Sequence, residues 1–124
     1  MSNLIFYLNI AVMVLTILLG LVGWLAPHYT MEKLGLQTSK GSNMGLSEIR
    51  AANGALFVGA GTGALVFSLP VAFAMVGCLY AGAALGRITS IILDKSGNAS
   101  SWSYFTVELA LAAFLLIANV SAIS

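Results

Sequence analysis

One histidine and one cysteine are all that this chain offers a metal or haem iron. Structural and catalytic zinc, and haem, take their usual ligands from sets of His, Cys and carboxylate side chains. Neither has a normal ligand set here, and no metal site is expected. A lone Cys78 excludes an internal disulfide and any multi-cysteine metal centre. No HExxH, CxxC, Walker loop or Ser-His-Asp set can be assembled. Gly59-x-Gly61-x-Gly63 lies inside a hydrophobic run and reads as helix packing rather than as a dinucleotide loop.

Charge is scarce as well. Only 7% of the 124 residues are charged, against about a quarter in a soluble domain. The formal net charge of +1 points to neither nucleic acid nor an acidic partner. What the chain has instead is apolar length: 60% of it is hydrophobic. So few polar residues could not cover such a core in water, whereas a bilayer accepts helices that are apolar all round.

Four stretches of about 20 residues are long enough to cross the hydrocarbon. They run near Leu4–Ala26, Ser47–Ser68, Val71–Leu93 and Trp102–Ile123. The expected fold is all-α, a transmembrane four-helix bundle forming a single domain over 1–124. The first run is longer than a signal-peptide core, follows no Lys or Arg, and precedes no clear cleavage site, so it reads as a retained span. Between the first two spans, Met31–Leu36 suits a short interfacial helix and Ser39–Asn43 a polar loop. Leu69-Pro70 and Asp94–Asn98 are tight connections. Lys33, Lys40 and Lys95 fall in the loops 27–46 and 94–101, which share one side. The positive-inside rule places those loops in the cytoplasm and both termini outside.

Small residues recur at helical spacing: Ala51, Ala55, Gly59 and Gly63 on the second span, and Cys78, Gly82 and Gly86 on the third. The first span has a mixed stripe of Asn9, Met13, Thr16, Gly20 and Gly23. Such stripes let backbones approach in lipid, where van der Waals contact drives association. Internal packing is one reading of them, and a homodimer seam is the other.

Glu48, Arg50, Arg87 and Glu108 lie within these apolar stretches. An unpaired ionised side chain there costs about 2.5–3.5 kcal/mol on insertion scales. Arg87 precedes Asp94 by seven residues, and Glu108 follows Ser101 by seven. Both therefore sit about 10 Å inside the same face, at a depth where an Arg–carboxylate pair can form. Arg50 enters the second span from that face, and Asn53 lies on its side of the helix. Tyr104, Glu108, Leu111, Leu115 and Asn119 share one stripe of the fourth span. These positions converge on a polar pocket lined by Glu48, Arg50, Asn53, Arg87, Tyr104 and Glu108.

Each residue also has a plainer role. Glu48 suits the N-terminal dipole of its helix beside a Ser47 cap. Arg50 can snorkel to the headgroups. Arg87–Glu108 can be a register-fixing ion pair, and Cys78 a small core residue. His28 reads as a surface residue. Trp24, Tyr29, Trp102 and Tyr104 fit an interfacial aromatic belt.

Gly45-Leu-Ser-Glu48-Ile-Arg50-Ala51, with Gly54-Ala55-Leu56 and Gly59–Gly63, resembles the signature of an uncharacterised family of small bacterial four-span membrane proteins. Gly86-Arg87-Ile88 with Asp94, and Glu108-Leu-Ala-Leu111, match it in order and spacing. Where members often carry an aromatic–glycine pair, this chain has Ala52-Asn53. The family is distantly similar to DoxX-like membrane proteins, some of which accompany quinone-linked oxidation. The resemblance implies the four-span fold and marks Glu48, Arg50, Arg87 and Glu108 as family positions, and it brings no activity or cofactor with it.

Three functions follow as expectations. The first is a pocket that binds or moves a small polar or anionic solute or a lipid headgroup. The second is a structural or accessory subunit, with a partner or a second copy docked on the glycine stripes. The third is an enzyme acting on a lipid or quinone, with Glu108 as its acid–base group.

Overall fold

The computed structural model describes residues 2–123. All regular structure among them is helical: α1 (Asn3–Leu25), α2 (Pro27–Leu34), α3 (Met44–Arg50), a π-helical segment (Ala51–Ala55), α4 (Leu56–Phe67), α5 (Pro70–Leu93) and α6 (Ala99–Val120). Four helical stretches are long and apolar enough to cross a membrane: Asn3–Leu25, Met44–Phe67, Pro70–Leu93 and Ala99–Val120. The protein is a multi-pass membrane protein. Two compact units divide the chain. One contains the residues up to Asn9 and those from Phe67 onward, and the other is Ile10–Val66.

In the first of these units, α5 and α6 pack side by side. Pro70 occupies the first turn of α5, where its missing N–H costs no helical bond. At the other end a serine-rich turn closes the pair. Ser90 Oγ donates to Asp94 Oδ2 at 2.9 Å and lies 3.0 Å from Ser96 Oγ. Asn98 caps α6 by accepting from Ser101 N at 2.8 Å, so the helix begins at Ala99, three residues earlier than its apolar run. Gly77 marks the tightest approach of the two helices, because a Cβ there would lie 2.9 Å from Leu115 Cβ.

The Ile10–Val66 unit is organised by a glycine crossing. Met13, Thr16, Gly20 and Gly23 are all buried along α1, as their spacing predicts. A Cβ on Gly20 would lie 2.7 Å from Gly54 O, and one on Gly23 would overlap the carbonyl oxygen of Asn53. Backbone meets backbone here, a contact that only glycine permits. Lower on the same crossing, Gly61 faces the Met13 carbonyl and the Ile17 side chain. Helix α2 ends at Gly35 in the left-handed conformation (φ 71), with Leu36 N bonded to Met31 O at 2.8 Å. This is the Schellman closure that glycine favours.

Three packing expectations are corrected. The predicted stripe on the second span fails, because Gly59 and Gly63 face open space while Gly54, Gly61 and Ala64 are buried. The π segment is the reason: its wider turn displaces the buried face from the one that an unbroken 3.6-residue period defines. Cys78 is exposed rather than a core residue, and a Cβ on Gly82 or Gly86 would meet nothing within 4 Å. Ser47 does not cap its helix, which starts one turn earlier at Met44, where the backbone N–H bonds Ser42 Oγ at 3.2 Å. Glu48 is consequently the fifth residue of α3, outside the first turn where the dipole would favour it.

Candidate functional site

Arg87 lies in the last two turns of α5, and Glu108 lies on the facing part of α6. Arg87 Nε donates to Glu108 Oε1 at 2.6 Å and Nη2 donates to Oε2 at 3.1 Å. This is the parallel two-bond fork of a strong Arg–carboxylate pair. The two side chains are 30% and 16% exposed, so the pair is largely withdrawn from its surroundings without being sealed. Tyr104, one turn before Glu108, places its ring centroid 5.1 Å from Arg87 Cζ, a cation–π distance. Of the five N–H donors of the guanidinium, the pair uses two and leaves the Nη1 amino group outside it.

Polar groups continue along α6 and its neighbours on both sides of this triad. Toward the turn stand Ser90, Ser96 and Ser101, the last donating to Ser96 O at 2.8 Å. Toward the termini, Asn119 and Asn9 exchange reciprocal side-chain bonds of 2.8 Å, with both residues fully buried. Asn119 also returns a bond to Leu115 O at 2.8 Å. At that end α6 carries an open apolar groove of about 400 Å³, lined by residues that include Ile5, Phe114 and Ile117.

The Ile10–Val66 unit holds the other three predicted residues. Arg50 Nη1 donates to the carbonyl of Trp24 at 2.7 Å, in the last turn of α1. That carbonyl is one of those a helix end leaves without an intrahelical donor. Glu48 and Asn53 are exposed. The backbone carbonyl of Asn53 is what abuts Gly23, so the role the structure gives Asn53 is one of main-chain packing.

A family model described as a domain of unknown function (DUF4345) matches residues 6–119. The chain belongs to that family. No curated protein and no solved structure matches it. The family match spans the Arg87–Tyr104–Glu108 triad, Arg50 and the asparagine pair alike.

For this member of the family, the structure thus assembles Arg87, Tyr104 and Glu108 into one site and gives Arg50 a separate backbone partner. Sequence reasoning missed the Asn9–Asn119 pair, although each is an amide within an apolar run, five residues after Leu4 in the first and four before Ile123 in the fourth. Equal depth, the coordinate that links Arg87 to Glu108, would have linked them too. Among the described residues, no three of His, Cys, Asp and Glu gather where a metal could bind.

Proposed function

We propose that the Arg87–Tyr104–Glu108 site binds, and in a transport cycle would move, a small polar or anionic solute or a lipid headgroup within the membrane. The observation that carries this reading is the half-open ion pair, an arginine forked onto a carboxylate and stacked on an aromatic ring, with an amino group still available. Because the pair is neutral, a polar solute can be held by Nη1 beside it. An anion adds a negative charge next to Glu108, and to bind it must compete with that carboxylate for the guanidinium. The chain is read as a bacterial inner-membrane protein with loops 27–46 and 94–101 in the cytoplasm and both termini outside. The distant resemblance to DoxX-like proteins is compatible with a quinone or lipid as ligand.

Native mass spectrometry from mild detergent, at acid and at alkaline pH, tests this reading on wild type, Arg87→Ala and Glu108→Gln. A bound mass present in wild type and lost in Arg87→Ala is expected. Identical spectra for all three proteins would refute it.

A second reading is favoured by the open space at Gly59, Gly63, Gly82 and Gly86. In that reading these glycines receive a partner helix or a second copy, and the protein is an accessory subunit. A dimer or partner mass without any small adduct would support it.

A further inference from the structure

We infer that Arg50 holds the phosphate of an anionic phospholipid at the membrane–water boundary, braced by the carbonyl end of α1. This second site does not rest on the Arg87 reading. The charge of Arg87 is matched by Glu108, whereas Arg50 makes one hydrogen bond, to a neutral carbonyl. Among the described residues no carboxylate pairs with it. Its side chain is exposed. One of the five guanidinium donors is used, and four stay uncommitted on a full positive charge.

The brace also fixes the level of that charge. Trp24 is the last residue but one of the 23-residue α1, and the chain then turns at Pro27 into the short polar α2. A guanidinium bonded to Trp24 O therefore sits where hydrocarbon gives way to headgroups. Trp24 and Tyr29 are 41% and 54% exposed there, as interfacial aromatics are. Lys33 Nζ stands 5.5 Å from the Tyr29 ring centroid and adds a second cation to the same unit. At this level the abundant anion is the lipid phosphate. The planar arginine fork matches two phosphate oxygens, and the bond to Trp24 holds the fork in place before lipid arrives.

The test uses the full chain in phosphatidylcholine nanodiscs doped with phosphatidylglycerol, with lipids retained after gentle extraction counted by native mass spectrometry. A basic residue at an anionic surface supplies roughly a fivefold preference. Wild type and Arg87→Ala are expected to retain phosphatidylglycerol over phosphatidylcholine by that factor, and Arg50→Gln to show no preference. Should Arg50→Gln fail to fold, Arg50→Lys decides. It keeps the charge, which is what separates phosphatidylglycerol from phosphatidylcholine, so it is expected to keep most of the fivefold preference. Loss of the preference in Arg50→Lys, or a preference that survives in a folded Arg50→Gln, would overturn the inference. Loss of the preference in Arg87→Ala alone would also overturn it, by assigning the lipid to the other site. Inorganic phosphate titrated onto protein in lipid-free detergent is expected to leave thermal stability unchanged. Saturable stabilisation that depends on Arg50 would identify a soluble-anion site and overturn the lipid assignment.

Discussion

Removing Glu108 and removing Arg87 should be unequal injuries. Glu108→Gln leaves an arginine that cannot shed its proton, inside a span, with its fork emptied. Breaking a fully buried pair costs about 3–5 kcal/mol, while an exposed pair is worth about 0–1 kcal/mol. With side chains 30% and 16% exposed, the present pair falls between those limits. We expect Glu108→Gln to lose about 2–3 kcal/mol, roughly 30- to 150-fold in the folding equilibrium. Arg87→Met leaves a carboxylate that can neutralise itself by taking a proton. Its cost should be smaller, because a neutral acid needs no counter-charge. The double variant Arg87→Met/Glu108→Leu replaces the pair with apolar side chains and should lie within about 1 kcal/mol of wild type. Equilibrium unfolding in mixed micelles, followed by far-UV circular dichroism across pH, measures all four corners of this cycle. If the two single variants are equally destabilised at every pH and the double variant is their sum, the two residues are not coupled and the reasoning fails.

The glycines divide into two classes with opposite expectations. Gly23→Ala and Gly54→Ala drive a methyl group into backbone and should lose at least about 1–3 kcal/mol in the same unfolding assay. Gly82→Ala and Gly86→Ala enter open space and should gain up to about 1 kcal/mol of helix propensity, so a loss at Gly82 or Gly86 would reveal a partner helix. Asn119→Ala strips the buried amide of Asn9 of its reciprocal bonds and should cost about 1–2 kcal/mol. Restoration of stability by Asn9→Ala in that background, read as a shift in unfolding midpoint, is the check.

The spans were legible because hydrophobic length is all that a bilayer demands, whereas their ends depend on local hydrogen bonds. The Asn98 side chain caps α6 ahead of Trp102, and α3 begins at Met44, ahead of Ser47, where Ser42 Oγ accepts from the Met44 N–H. The Arg87–Glu108 pair was legible because two opposite charges at equal depth on helices joined by a short turn have few other partners. The packing face of the second span was not. A π segment is a local change of hydrogen-bond period, and Ala51–Ala55 carries no residue that announces it. Nor was the partner of Arg50, because a helix-end carbonyl belongs to no residue type and leaves no trace in composition. The Gly82 and Gly86 pair shows the converse error: spacing shows that two helices could approach, while the structure leaves that approach unused within the described chain.

The two arginines pose different problems to a ligand. One that binds at Arg87 competes with a carboxylate already held by two short bonds, so it must supply its own acceptor and leave Glu108 either protonated or newly bonded. A solute with both donor and acceptor groups meets that demand better than a bare anion. Arg50 asks for less, because its brace is a neutral carbonyl that satisfies geometry without cancelling charge. On these proposals, net attraction for anions belongs to the boundary, and directional recognition to the span. Salt discriminates between them: a boundary cation is screened within about 8 Å at physiological ionic strength, whereas a withdrawn ion pair is screened much less. Raising ionic strength should consequently strip lipid from Arg50 before it weakens any adduct at Arg87, and the reverse order in native mass spectra would mean that the two roles had been exchanged.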